Sequence, residues 1–569
     1  MAVNLLEVNN LSIRFKQNNA YIDAVKDLSF KLKEGEILGI VGESGSGKSV
    51  TAMSIVKLLP SNAIYSSGLI LYSESEKTPI NLMVLSEEEL RPYRGAKISI
   101  IFQEPMSSLN PVLTCGYQIA EGLLTHKLCT RKEVKEKVCY WLDKVGITET
   151  NRVYGSYPHQ LSGGQLQRVL IALALSCNPK LVIADEPTTA LDVNIQKKIL
   201  ELLVSLKKEL GLTIIFISHD LGVIKYLCDR VLVMNNGIKI EENSVAEIFQ
   251  NPTNNYTKGL ISSRPSLRIK LRKLPTVQDF IKGNSIHNWF SDENRISPSE
   301  QDRIGDHFND KIIRIQNLNV QYPQTKNWFG KVKTYLHAVK DFNLDIFKGE
   351  VVGLVGESGS GKSSLGKAIL GLTNIHSGNV FYAGINLCTL SNSEWRPLRK
   401  ELQIIFQDPY SSLNPRKTIG SAITEPMLIH KMHSNSALRK ERAIELLEMV
   451  GMEADHLERY PHQFSGGQRQ RICIARALAL DARFIVCDEC VSALDVSIQA
   501  QVLNLLMDLK QKLNLSLLFI THDMSVVNFI ADRIVVMNEG KIIEQGLPYE
   551  IIEHPKTEYT QRLIKSIIE

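Results

Sequence analysis

The sequence repeats itself at a spacing near 303 residues, and this repeat limits the fold more than any other feature. GIVGESGSGKSV, ending at Val50, returns as GLVGESGSGKSS, ending at Ser364. YPHQLSGGQ, ending at Gln165, returns as YPHQFSGGQ, ending at Gln468. ALDV at 190–193 returns at 493–496, and SHD at 218–220 returns as THD at 521–523. The offset is 314 from Lys48 to Lys362 and 304 from Gln103 to Gln407. It is 303 from Ser162 to Ser465, from Asp185 to Asp488 and from His219 to His522. The halves thus differ mainly by ten residues between Lys48 and Gln103, assigned here to a loop near Ser73–Pro79. A period of this length is a duplicated domain, far too long for a solenoid.

Composition adds exclusions. At 569 residues the chain is too long for one core, and 44% hydrophobic with 22% charged residues is ordinary for folded protein. Lys plus Arg number 66 against 61 Asp plus Glu, an unclustered surplus that does not argue for a nucleic-acid binder. No apolar run approaches the roughly 20 residues that cross a bilayer. MAVNLLEVNN lacks the basic and apolar regions of a signal peptide, so none is expected. Nine scattered cysteines fit a reducing cytosol.

Residues 263–310 read as a linker between a first domain at 1–262 and a second at 311–569. RPSLRIKLRKLP carries five cations between Arg264 and Lys273, and the stretch after it is polar without apolar periodicity. If flexible, about 48 residues reach about 40 Å. The cations could meet lipid headgroups or a partner, or simply face water in a partly ordered tail.

In each half an apolar strand enters a glycine loop and then a helix: Glu36–Val41 with Gly42–Ser49, and Glu350–Val355 with Gly356–Ser363. This is G-x-x-x-x-G-K-[ST] in its required context. Gly42, Ser44, Gly45 and Gly47, with Gly356, Ser358, Gly359 and Gly361, let backbone N–H groups approach phosphates at a helix N-terminus. Lys48 and Lys362 would reach the β/γ-phosphates, and Ser49 and Ser363 would ligate Mg²⁺. LVIADE (181–186) and FIVCDE (484–489) end in paired carboxylates. Asp185 and Asp488 are placed to hold Mg²⁺, and Glu186 and Glu489 to polarise an attacking water. LTIIFI and LSLLFI run toward His219 and His522, at the strand ends where open α/β sheets place ligand groups.

LSGGQ and FSGGQ, through Ser162, Gly163, Gly164, Gln165 and Ser465, Gly466, Gly467, Gln468, each open a helical segment. A hydroxyl and bare N–H groups there bind an anion or, equally well, cap the helix. Two anion sites per half resolve if each half lends its Ser-Gly-Gly to the other half's nucleotide.

Together these residues resemble the ATP-binding-cassette ATPases over nearly the whole chain outside the linker. The resemblance implies an α/β fold of two tandem P-loop NTPase domains, each with a RecA-like mixed-sheet core, an antiparallel β region and a helical subdomain. It implies an intramolecular head-to-tail dimer of cassettes. One site joins Lys48, Ser49, Gln103, Asp185, Glu186 and His219 to Ser465, Gly467 and Gln468. The other joins Lys362, Ser363, Gln407, Asp488, Glu489 and His522 to Ser162, Gly164 and Gln165. Gln103 and Gln407 complete the metal set. Asp192 and Asp495 match the family's D-loop, and Phe15 and Tyr322 fall where it stacks an aromatic on adenine. Both halves retain Glu and His, so two hydrolytic sites are expected, with ATP and Mg²⁺.

QEPMSSLNP (103–111), QDPYSSLNP (407–415), and the pair Asn251-Pro-x-x-x-Tyr256-Thr and His554-Pro-x-x-x-Tyr559-Thr resemble the oligopeptide/dipeptide importer branch. The first half is similar to its D-type ATPase and the second to its F-type. D-type subunits often carry a cysteine-rich segment for an iron–sulfur cluster, but no cysteine lies between Cys228 and Cys388, so no cluster is expected. Cys490 stands where the first half has Pro187, creating Cys487-x-x-Cys490. That pair reads as a metal or redox site, or as two structural thiols.

The resemblance implies an ATP-hydrolysing subunit of an importer of peptides or related solutes, peripheral on the cytoplasmic face of the membrane. Its partners would be two transmembrane permease subunits, docked just after Gln103 and Gln407, and an extracytoplasmic solute-binding protein. The alternative is a soluble tandem cassette acting on ribosomes. The SSLNP segments and the lack of a long charged helical linker weigh against it. Lys-to-Gln spacings of 55 and 45 residues leave no room for the insertions of DNA-repair cassettes.

Overall fold

The computed structural model describes residues 4–17, 20–74, 78–188, 192–283, 289–306, 308–326 and 332–567. They form two compact units, one built on residues 1–261 and 280–283, the other on 262–279 and 284–567.

Each unit carries two sheets. In the first, four antiparallel strands lie in the order Ala20–Lys33, Asn4–Gln17, Ala63–Tyr72, Ile80–Asn81. Six more lie in the order Ile238–Ser244, Arg230–Asn235, Ile37–Val41, Thr213–Ile217, Leu181–Asp185, Ile98–Ile101. All their pairings are parallel except that of the outermost Ile238–Ser244. The second unit repeats the pattern. Its four-stranded sheet is Val332–Phe347, Lys311–Lys326, Ser377–Tyr382, Ile385–Asn386. Its six-stranded sheet is Leu402–Ile405, Phe484–Asp488, Ser516–Thr521, Val351–Val355, Arg533–Asn538, Lys541–Gly546.

The apolar runs explain the parallel cores. Every residue of ILGIV, LVIAD and TIIFI is buried, as a strand covered on both faces requires. Register then aligns the functional ends: Asp185 lies opposite Ile217, and Ile101 opposite Ala184. The carboxyl edges of three adjacent strands therefore open onto one place.

A helical layer sits beyond each sheet, with Cys115–Thr125, Val134–Lys144 and Gly163–Leu175 in the first unit. Val138, Trp141, Leu142 and Val145 are buried, the spacing of one helix face. Ile419–Ile429, Ser436–Met449 and Gly466–Leu478 correspond in the second. Among the described residues no helix is long and apolar enough to cross a membrane.

The structure differs from a solvated tail over residues 263–279, which pack within the second unit. Leu267, Leu271 and Leu274 are buried there, and Lys270 Nζ donates to Asn528 O at 2.8 Å and to Ala531 O. Arg272 pairs with Glu300 at 2.7 Å. The leucines lie in irregular chain between cations, so no helical or strand period marks them. Further on, Pro298–Asp306 is helical. The additional residues of the first half do not all fall in the loop at 73–79, of which 75–77 lie outside the described residues. Strand Ala63–Tyr72 has 10 residues where Ser377–Tyr382 has 6, and the connection from Tyr72 to Ile80 is longer than that from Tyr382 to Ile385.

Candidate functional site

Val41 delivers the chain into the glycine loop, and helix Lys48–Ile55 begins directly after it. Gly47 has φ 98°, and a Cβ there would lie 2.6 Å from Ala24 O, so only glycine fits. Gly361 repeats this at φ 103°, with Ala338 O at 2.0 Å. Gly42 and Gly356 are buried at the base of their loops, while Ser44, Gly45, Ser358 and Gly359 are exposed at the tips. Lys48 Nζ donates to Gly42 O and Glu43 O, both at 2.9 Å. Lys362 Nζ donates to Gly356 O and Glu357 O, both at 2.8 Å. A buried ammonium inside a glycine loop at a helix N-terminus can hold a phosphate chain.

Ser49 Oγ donates to Asp185 Oδ1 at 3.1 Å, and Ser363 Oγ to Asp488 Oδ1 at 2.7 Å. Burial raises both aspartates above the usual carboxylate range, and the serine hydrogen bond works against it. A hydroxyl and a carboxylate in contact form a hard-oxygen pair suited to Mg²⁺.

The next residue turns. Glu186 and Glu489 both have φ 48°, left-handed for a residue with a side chain, and donate their N–H to Ile217 O and Ile520 O at 3.0 and 2.9 Å. This conformation costs about 1–2 kcal/mol and swings the carboxylate off the strand axis. There Gln103 Nε2 donates to Glu186 Oε2 at 2.7 Å, and Gln407 Nε2 to Glu489 Oε2 at 2.8 Å. Each glutamine's Oε1 then remains to act as an oxygen ligand.

His219 Nδ1 lies 3.0 Å from the same Glu186 Oε2, and His522 Nδ1 3.6 Å from Glu489 Oε1. Burial alone would lower each imidazole, but the glutamate's hydrogen bond and charge outweigh it and both are raised. Burial would likewise raise Glu489, yet His522 and Lys362 hold it below the usual range. Asp220 and Asp523 cap the following helices at Gly222 N and Ser525 N, both at 2.8 Å, which fixes the histidine turns. An oriented carboxylate beside an imidazole can take a proton from water.

The Ser-Gly-Gly-Gln segments are helix caps within their own units. Ser162 Oγ accepts from Gln165 N at 3.4 Å, and Gln165 Oε1 from Ser162 N at 3.2 Å. Ser465 and Gln468 reciprocate at 3.3 and 3.0 Å. Gly163 and Gly466 open the helices. Gly164 and Gly467 pack on Ile195 and Ile498, whose Cγ2 atoms would meet an added Cβ at 2.9 and 2.2 Å. Asp192 and Asp495 cap the next helices at Ile195 N and Ile498 N, both at 2.9 Å. Ala190 and Leu191 lie outside the described residues. Phe15 is half-buried on strand Asn4–Gln17, opposite Ile22 and Ala63. Tyr322 is half-buried on Lys311–Lys326, its hydroxyl accepting from Thr373 Oγ1 at 3.2 Å.

Two tyrosines that the sequence marks only as parts of the importer-branch motifs touch the phosphate loops. Tyr256 Oη accepts from Glu43 N, and Tyr559 Oη from Glu357 N, each at 3.1 Å, tying the phosphate loops to the C-terminal end of each half. Their common offset of 303 was the available signal. Ser46 and Ser360 are also buried in the loops, each Oγ 3.4 Å from its lysine Nζ. Cys487 and Cys490 are buried in the hydrophobic core of the second unit.

Comparison with known proteins agrees with this geometry. The ABC transporter family matches residues 25–189 and 339–492, more than half of the chain. The oligopeptide/dipeptide transporter C-terminal region matches 240–283. Glutathione import ATP-binding protein GsiA of Salmonella typhimurium strain LT2 is 44% identical over 570 residues, 99% of this chain and 89% of that protein. The protein of the same name from Escherichia coli strain K12 is 44% identical over 567 residues, 100% of this chain and 90% of its own length. With two nucleotide-binding, ATP-hydrolysing cassettes in one polypeptide, this chain belongs to the ATP-binding proteins of ABC transporters.

Proposed function

We propose that this chain energises the import of peptides or related small solutes through two separate transmembrane permease subunits. The observation that carries the reading is the link from catalytic carboxylate to surface. Gln103 and Gln407 each hold a glutamate, and each leads at once into a one-turn helix, Pro105–Ser108 or Pro409–Ser412, that exposes Met106 or Tyr410. A partner seated on that turn would shift the glutamine and with it the carboxylate. Likeness to glutathione import proteins over the whole chain supports the same role and makes glutathione and short peptides the first cargoes to try.

In this reading the cassettes close head to tail on the cytoplasmic face of the membrane. Lys48 and the loop from Gly42 bind one ATP, covered by Ser465, Gly466, Gly467 and Gln468. Lys362 and the loop from Gly356 bind the other, covered by Ser162, Gly163, Gly164 and Gln165. Phe15 and Tyr322 face adenine. Ser49, Asp185 and Gln103, and Ser363, Asp488 and Gln407, would hold Mg²⁺, which supplies charge neutralisation of the phosphates. Glu186 and Glu489 accept the proton of the attacking water, and His219 and His522 orient them. An extracytoplasmic solute-binding protein would deliver cargo.

Uptake of labelled glutathione and di- and oligopeptides by a strain lacking this chain tests the reading. Uptake of one of them should return with the wild type and not with Glu186→Gln/Glu489→Gln. Unchanged uptake in the deletion strain, with the chain pelleting on ribosomes, would replace transport with the non-transport alternative.

A further inference from the structure

The duplicated halves offer an internal comparison at the surface that receives residues 266–274. In the second unit Asn504 lies on helix Val496–Leu513 and Asn528 on helix Met524–Ile530. Asn504 Oδ1 accepts from Leu274 N at 2.9 Å, and its Nδ2 donates to Leu274 O at 2.8 Å. Asn528 Nδ2 donates to Ser266 O at 2.9 Å and to Leu267 O at 3.1 Å. The two residues are 6% and 4% exposed. Irregular chain has no ladder of its own to satisfy its backbone, and a buried carboxamide both donates and accepts as a neighbouring strand would.

Between these two clamps, Lys270 donates to Asn528 O and Ala531 O at the C-terminal end of helix Met524–Ile530, where a cation also meets the helix dipole. Leu271 and Leu274 belong to the same buried cluster as Leu503, Leu506 and Ile530. Leu267 enters a neighbouring one with Val527 and Ala531. Arg272 N donates to Asn294 O at 2.8 Å, so residues beyond 290 grip the other side.

At the offset of 303, Asn504 corresponds to Glu201 and Asn528 to Lys225. Both are exposed on the matching helices Val193–Leu210 and Leu221–Leu227. Phe529 is 3% exposed while its counterpart Tyr226 is 47% exposed. A carboxylate cannot donate and an ammonium cannot accept, and covering either with leucines strips its water without replacing it. The first half is therefore closed to such a segment.

We infer that Asn504 and Asn528 make the second cassette, and not the first, the acceptor for the strap at 266–274 that follows the first cassette. The strap specifies that unlike cassettes pair. It does so by recognition and not only by the covalent tether.

The test uses the full chain with a protease site inserted after Gly283, cleaved in EDTA without nucleotide, so that the strap stays on the first fragment. Wild-type fragments should co-elute on gel filtration. Asn504→Glu/Asn528→Lys, which installs the first half's own residues, should release them. So should Leu271→Arg/Leu274→Arg, which leaves the second cassette unaltered, and circular dichroism of the uncut chains verifies that both variants fold. Separation of the wild-type fragments, or co-elution of either folded variant as complete as the wild type's, overturns the inference.

Discussion

Gln103 Nε2 stands 2.7 Å from Glu186 Oε2, although 83 residues separate them in the chain. The contact exists because strand Ile98–Ile101 pairs with Leu181–Asp185 and both end at the same sheet edge. It orients a carboxylate that already sits at φ 48°. Replacing both glutamates, Glu186→Gln with Glu489→Gln, keeps size and hydrogen bonding but removes the proton acceptor. Steady-state ATP turnover should fall by roughly 10²–10⁴ while nucleotide binding is retained. Near-wild-type turnover in the double variant would rule out the base role.

Tyr256 and Tyr559 anchor the phosphate loops through single hydrogen bonds to Glu43 N and Glu357 N. Tyr256→Phe or Tyr559→Phe preserves the ring and loses the acceptor. A net hydrogen bond contributes about 1 kcal/mol, so ATP should bind the affected site roughly fivefold more weakly. Titration with a fluorescent ATP analogue would register this, and equal affinity in both variants would make the tether incidental.

What the sequence displayed well was local. The glycine loop, the carboxylate pair and the Ser-Gly-Gly-Gln cap are each contiguous, and five-residue apolar runs announce parallel strands because both faces are covered. The distances among Gln103, Glu186 and His219 depend on strand order, which no local pattern encodes. The strap was hidden for a different reason. Its leucines at 267, 271 and 274 pack as irregular chain, and the amides that receive them lie 230 residues or more away. Basic residues between the leucines gave the segment the look of a solvated tail, yet Lys270 is tucked against helix carbonyls.

That lysine sets a pH dependence. Burial pushes Lys270 down from 10.5 to about 8, with Asp532 opposing the shift and Lys510 adding to it. Between those values the unfolded chain holds a proton that the folded chain has released, so stability rises with pH across the window. Lys270→Met removes the titration. The wild type's stability relative to the variant should therefore improve from pH 8 to pH 10, by at most about 1.4 kcal/mol per pH unit. Urea midpoints measured in parallel would reveal it, and parallel curves would mean that the ammonium is solvated.

Cys487 and Cys490 flank Asp488 and Glu489, but both thiols are buried. The hydrogen bond with Cys487, then burial, drives the Cys490 thiol well above its ordinary range. Reaction needs an accessible sulfur, so these two buried cysteines should be inert in the folded chain. Alkylation followed by peptide mapping should label exposed Cys388 first, then half-buried Cys129 and Cys139. Cys487 and Cys490 should react only after denaturation. Labelling of either in the native protein, with loss of ATPase activity, would restore a redox role to the pair.

The glycines after Ser465 separate packing from ligand binding. A Cβ on Gly467 would stand 2.2 Å from Ile498 Cγ2, a β-branched side chain fixed in the next helix, so Gly467→Ala must displace that helix. A Cβ on Gly466 finds its nearest neighbour, Leu494 Cδ2, at 3.9 Å. Gly466→Ala should therefore leave the melting temperature unchanged, whereas Gly467→Ala should lower stability by about 1–3 kcal/mol. If the N–H groups at this helix start approach a phosphate, Gly466→Ala should nonetheless weaken ATP-dependent closure and depress turnover. A Gly466→Ala chain with wild-type melting and wild-type turnover would leave the segment as a helix cap and nothing more.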